Sequence, residues 1–215
     1  MIIKDNGDKL VEFDSNEFVL EPVYFKWGHV DTDKMYLREG AIEKLRVAQE
    51  NLRKIEGCKG WSLKIWDGFR TLETQKILYD DYYVVLKQKH PDWTDEKLRE
   101  RVEVFVCLPS YDPLSPSYHN TGGTVDLTLV DENGDEIPMG TPFDEFTERA
   151  FVDHLANKDD SKSVELHKNR MLLQKIMQDA GFINYEEEWW HFSYGTKEWA
   201  IKTGADEAIY GSVEL

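Results

Sequence analysis

Between Thr124 and Val130 the chain alternates strictly: Val125, Leu127 and Leu129 point one way, Thr124, Asp126 and Thr128 the other. Period-two alternation specifies a strand. Asn133-Gly134, just beyond it, is a hairpin turn signal, so Glu136–Met139 is expected to return as a short antiparallel partner, with Pro138 confining it to an edge. The chain is thereby committed to local antiparallel pairing, and the segments around it carry helical periodicity. Gly40 to Gly57 repeats Ile42, Leu45, Ala48, Leu52 and Ile55 at three- and four-residue steps. Further helices are expected over Leu72–Lys89, after a Thr94 cap and before Pro109, and over Ser163–Ala180 with Gly181 as its stop. Trp61–Trp66, Phe182–Tyr185 and Trp189–Tyr194 read as strands. Hairpin signals outnumber βαβ units. The expected fold class is therefore α+β, a small antiparallel sheet flanked by helices.

The 215 residues fit one domain, 1–215, in which residues 1–35 form an amino-terminal segment packed on the rest. Acidic residues number 42 against 26 basic, a formal charge of −16, which repels phosphate backbones and anionic lipid; no nucleic-acid or membrane partner is expected. No apolar run approaches the ~20 residues of a membrane span. The first residues lack the apolar core of a secretory signal, and Cys58 and Cys107 are far apart with no CxxC, so two reduced, mostly buried thiols in a cytoplasmic protein are expected. Nothing in the sequence specifies an oligomer.

Of six histidines, two have chemically useful company. His119 ends a proline- and serine-rich loop, Gly122-Gly123 allow a sharp turn, and Asp126 follows on the strand. A carboxylate on an otherwise apolar strand is costly to bury unless paired or bound to a cation; an ordinary polar strand face is the competing reading. His191 lies in Glu188-Trp189-Trp190-His191. On a regular strand Glu188 and His191 point to opposite faces, so both reach one site only if a turn or bulge intervenes. His119, Asp126 and His191 together suit one zinc ion with a fourth position open. Glu188, if not a ligand, could move protons. Arg70, just past the end of the Leu63–Asp67 strand, could stabilise an oxyanion or simply pair with Asp67 or Glu73. No HExxH, GxSxG or glycine-rich phosphate loop is present.

Ser117-x-His119-x-x-Gly122-x-x-x-Asp126, the later Glu188-Trp189-Trp190-His191, and Ile65-Trp66-Asp67-Gly68-Phe69-Arg70 resemble the zinc D-alanyl-D-alanine dipeptidases. Ile137-Pro138-Met139-Gly140 with Phe143-Asp144 resembles the segment after that family's metal-binding hairpin. The resemblance runs from about Tyr36 to the end of the chain. It implies a single α+β domain like that of D,D-carboxypeptidases and the hedgehog signalling domain. It also implies one Zn2+ on His119, Asp126 and His191, Glu188 as catalytic base and Arg70 as transition-state arginine. Ser117 would lie near the substrate's carboxylate end, and Asp144 would pair with a dipeptide's free amine. The implied activity is hydrolysis of D-Ala-D-Ala or a related dipeptide in peptidoglycan metabolism. The alternatives are a D,D- or L,D-carboxypeptidase on longer wall peptides and a non-catalytic zinc-containing binding domain. Thr71 stands where the family usually has proline, Tyr118 where it has a small residue, and the Lys26-Trp27-Gly28-His29 region lacks an expected asparagine-phenylalanine segment.

Overall fold

The computed structural model describes residues 1–215. In chain order its elements are β1 (Ile2–Ile3), β2 (Leu10–Glu12), β3 (Val19–Leu20), α1 (Val23–Lys26), β4 (Tyr36–Arg38), α2 (Glu39–Lys54) and β5 (Ser62–Asp67). Then come α3 (Leu72–Lys89), α4 (Asp95–Glu103), β6 (Thr124–Val130), α5 (Ser161–Asp179), β7 (Ile183–Tyr185), β8 (Glu188–Ser193), α6 (Lys197–Thr203) and β9 (Glu207–Ala208). The α+β expectation holds. The central sheet has order β3-β5-β6-β8-β7. It is mixed and not purely antiparallel as expected, because β3 joins β5 in parallel while the other pairs are antiparallel.

The helices form where apolar periodicity and caps agree. Thr71 accepts a hydrogen bond from the Thr74 amide at 3.1 Å and caps α3, so threonine does useful work where the resembling family has proline. Thr94 and Asp160 cap α4 and α5 in the same way. Leu45, Ala48 and Leu52 of α2 and Leu173, Ile176 and Met177 of α5 share one apolar cluster with Val125, Leu127 and Leu129 of β6. A second, smaller cluster joins α3 to α4 through Leu78, Leu86, Leu98 and Val102.

The expected return strand does not form. After the Asn133-Gly134 turn, only Val130 and Glu136 make a bridge, and the Ile137 amide donates to Leu129 O at 2.9 Å. Pro138 has no amide to continue the ladder. Asn169 and Arg170 of α5 then claim the Pro138 and Met139 carbonyls, pulling the chain away from the sheet. Cys58 is buried as expected but Cys107 is exposed, and both are free thiols. The amino-terminal segment is woven into the molecule: β1 pairs with β9, β2 with β4, and β3 extends the central sheet. No helix is long and apolar enough to cross a membrane.

Candidate active site

Two irregularities in the central sheet build the site. The β5–β6 register slips between Ile65 and Asp67, a bulge at Trp66 that sets Asp67 directly across from Asp126. On the other side Asp126 pairs with His191 of β8. Three polar residues thus lie in one row across adjacent strands. The second irregularity is in β7–β8: Asn184 pairs with Phe192, but the next residue, Tyr185, pairs with Glu188. Residues 189–191 bulge out, which is the departure from a regular strand that Glu188 requires. The Glu188 Oε2 atom comes within 3.5 Å of His191 Nδ1.

His119 arrives from the other direction, on a single 3-10 turn over His119–Thr121. Gly122 ends that turn with φ +68°, in the left-handed region that glycine occupies without strain. At Gly123 a side chain is excluded outright, since a Cβ would lie 2.4 Å from the Tyr194 carbonyl oxygen. The His119 Nδ1–H donates to the Gly68 carbonyl at 2.7 Å, and this fixes the tautomer that leaves the Nε2 lone pair facing Asp126.

Nε2 of His119 lies 3.4 Å from Asp126 Oδ2, and Nδ1 of His191 lies 3.1 Å from Asp126 Oδ1. All three residues are buried, and their donor atoms fall within 4.8 Å of one another. Ligands on a tetrahedral zinc with bonds of about 2.0–2.1 Å stand about 3.3–3.4 Å apart. Asp126 Oδ1 is buried yet accepts no hydrogen bond, despite its closeness to the His191 nitrogen. The two atoms therefore lie close together without hydrogen-bonding each other, as two ligands beside one ion would. An orphaned carboxylate oxygen among two imidazoles fits a divalent cation, and nitrogen and oxygen donors in this number fit zinc.

Arg70 pairs with Asp67, one of the partners its position in the sequence allows. Its Nε and Nη2 bind Asp67 Oδ2 at 3.0 and 2.8 Å, Nη1 binds Gln75 Oε1 at 2.9 Å, and Nη2 reaches the Tyr24 hydroxyl at 3.1 Å. The same Nη2 lies 3.7 Å from Asp126 Oδ2, at the edge of the donor triad. Tyr24 also donates from its hydroxyl to Asp144 Oδ2 at 3.0 Å. Asp144 holds the chain's only positive φ outside glycine, +55°. Ser117 is buried and accepts a hydrogen bond from the Ser110 amide at 2.9 Å, closing the loop that leads to His119.

The donor triad, Glu188, Arg70, Tyr24, Asp144 and Ser117 line one cavity of about 910 Å³. It reaches from the triad along α3 and α4, past Tyr82, Phe105 and Phe146 to Trp93. Tyr118 stands in its wall with its ring 6.1 Å from that of His191, and Trp27 and His29 of the amino-terminal segment line it too.

A family model described as D-ala-D-ala dipeptidase, of the Peptidase M15 group, matches residues 28–206. The chain belongs to the D-Ala-D-Ala dipeptidase family. It is 29% identical over 198 residues to the D-alanyl-D-alanine dipeptidase of Synechocystis sp., a match covering 83% of this chain and 79% of that one. To the D-alanyl-D-alanine dipeptidase of Escherichia coli it is 33% identical over 140 residues, covering 64% of this chain and 58% of the relative. The fold is similar to that of a vancomycin-resistance D,D-pentapeptidase, VanY, crystallised with Zn(II). That likeness has a TM-score of 0.53 at 14% identity and covers 97% of this chain and 94% of the other.

Burial and charge set the protonation of this dipeptidase-family site. Burial opposes ionisation of Asp126, but the imidazoles of His119 and His191 outweigh it and hold the carboxyl well below its usual range. Burial, reinforced by the charge of Asp126, pushes Asp144 up to about 8. Burial likewise raises Glu188 well above the ordinary carboxyl value, with Asp126 and Asp144 adding to it. Both carboxyls lack a cation of their own and gain from any cation brought to the cavity. Sequence reasoning missed Tyr24 and Gln75, which hold Arg70, and named Asp67 only as an alternative partner. Asp67 had a signal, a carboxylate ending an apolar strand; Tyr24 had none.

Proposed function

We propose that the protein is a zinc-dependent dipeptidase that hydrolyses D-Ala-D-Ala or a close relative in cell-wall peptidoglycan metabolism, acting in the cytoplasm as one domain of residues 1–215. The observation that carries this reading is Glu188: a buried carboxyl 3.5 Å from a triad imidazole, brought there by a bulge. His119, Asp126 and His191 would hold the zinc, which when bound supplies Lewis acidity at neutral pH. Glu188 accepts the proton of the attacking water and hands it to the departing amine. The Arg70 guanidinium, held rigid by Asp67, Gln75 and Tyr24, faces the oxyanion that develops on the scissile carbonyl. Asp144 pairs with the substrate ammonium, and the elevated pKa of this buried carboxyl is what a site awaiting a cation displays. Ser117 sits toward the substrate's carboxylate end.

One observation favours a second reading, a carboxypeptidase on longer wall peptides. The cavity of about 910 Å³ lies near the top of the range of about 300–1,000 Å³ that serves drug-sized ligands, far more than two alanyl residues need. The test is hydrolysis of D-Ala-D-Ala, L-Ala-L-Ala and a wall pentapeptide by the zinc-loaded protein and by Glu188→Gln. Turnover of the D,D-dipeptide alone is expected, with the variant keeping its zinc and its fold but losing hydrolysis. Preference for the pentapeptide would select the second reading. Equal turnover in variant and parent would remove Glu188 from the chemistry, and loss of zinc would make it a ligand.

A further inference from the structure

Away from the catalytic cavity, a pocket of about 400 Å³ opens between the start of α5 and the segment Pro138–Gly140. Five basic side chains line it, Arg149, His154, Lys158, Lys162 and Arg170, and no carboxylate does. In a chain of net charge −16, basic groups converging on one hollow run against the field of the whole molecule. Three of the five have local partners. Arg149 meets Glu145 at 3.2 Å and donates to the Gly140 carbonyl, and Lys158 Nζ lies 3.2 Å from His154 Nε2. The nearby Asp160 carboxylate is engaged in capping α5 through the Ser163 amide.

Arg170 is the unusual member. It is 1% exposed and meets no carboxylate. Its guanidinium donates to three carbonyls, Met139 O at 2.7 Å, Phe151 O at 2.6 Å and Arg149 O at 2.9 Å. Those bonds leave two of its five N–H groups over, and they solvate the charge without cancelling it. Burial and the neighbouring Arg149 bring Arg170 down to about 10. Burial, then the fields of Lys158, Arg170 and Arg149, hold His154 below the usual imidazole range. Arg149 is the one member paired with a carboxylate, while Lys158, Lys162 and Arg170 form no ion pair with the protein.

We propose that this pocket is an anion site, distinct from the catalytic cavity, that takes a phosphate-class dianion. A tetrahedral dianion offers more acceptor oxygens than a carboxylate to donors converging from several directions, and charge-assisted bonds to it are the strong ones. The volume admits either free phosphate or the phosphoryl end of a larger molecule.

The test is a titration of the zinc-loaded, 15N-labelled protein with inorganic phosphate and, separately, with pyrophosphate. Amide shifts of Gly140, Lys158 and Ser163 report on the pocket; those of Thr121 and Phe192 report on the triad. Saturable shifts at the first group are expected, with affinity at least ~10-fold weaker in Lys158→Ala/Lys162→Ala, whose side chains are exposed and outside the catalytic cavity. Tighter binding of pyrophosphate would assign a phosphorylated molecule as the occupant, and equal binding free phosphate. Shifts confined to Thr121 and Phe192, or identical titrations of parent and variant, would overturn the site.

Discussion

Arg70 joins a buried structural carboxylate to the donor triad. It neutralises Asp67, which the Trp66 bulge has pushed against Asp126, and it holds a guanidinium beside the donor triad. Arg70→Ala is expected to lower kcat by ~10²–10³-fold, the scale of losing one oxyanion donor, without reducing zinc content. It is also expected to destabilise the protein by about 3–5 kcal/mol, because Asp67 is left buried and unpaired. Steady-state kinetics, metal analysis and denaturant unfolding measure the three quantities. Full activity with lowered stability would reduce Arg70 to a partner of Asp67. The residues of the candidate site were legible as motifs because their types are costly in apolar surroundings: Asp126 between Val125 and Leu127, or Glu188 before two tryptophans. Tyr24 was not, because a tyrosine in a short helix among aromatic neighbours looks the same whether its hydroxyl is used or not.

At the scale of elements, legibility follows length. α2, β5, α3, β6 and α5 are long enough for a period to repeat, and the structure places them within a few residues of the sequence reading. The amino-terminal strands, two or three residues each, are too short to show a period and depend on partners distant in the chain. The Glu136–Met139 return failed because α5 claimed its carbonyls, a tertiary contact that local signals do not contain. The attachment of β3 yields a prediction. Glu21, which follows β3, binds Lys26 at 2.6 Å and also Lys64 of β5. Those bonds lower its carboxyl from the ordinary 4.5 to about 2. A carboxyl depressed by folding contributes stability above its unfolded pKa and loses it as pH falls through the folded one. Glu21→Gln is therefore expected to cost about 1 kcal/mol at pH 7, discounted for the partial exposure of the pair. The gap to the parent should close between pH 4.5 and about 2 in denaturant melts. A gap independent of pH would mean that packing, not charge, holds β3.

Across the whole molecule, Arg38 is the point where distant stretches of chain meet. Its side chain is almost fully buried and bonds Asp5 at 2.7 Å, the Asp8 and Thr121 carbonyls, and the Gly211 carbonyl at 3.2 Å. Arg38→Ala is expected to cost about 3–5 kcal/mol by orphaning buried partners. At ~2–4 °C per kcal/mol for a chain of this size, the melting temperature should fall by ~6–20 °C. Zinc affinity should fall with it, because Thr121 belongs to the turn that carries His119. Calorimetry and a competitive chelator titration read the two effects; an unchanged melting point would show the cluster to be ornamental. The pairing of β1 with β9 carries this further, into the order of synthesis. Ile2 and Ile3 leave the ribosome long before their partners Glu207 and Ala208. That strand must wait unpaired while the whole central sheet is being synthesised. A nascent chain halted before Glu207 holds the whole donor triad and Glu188 and still lacks the strand that clasps β1.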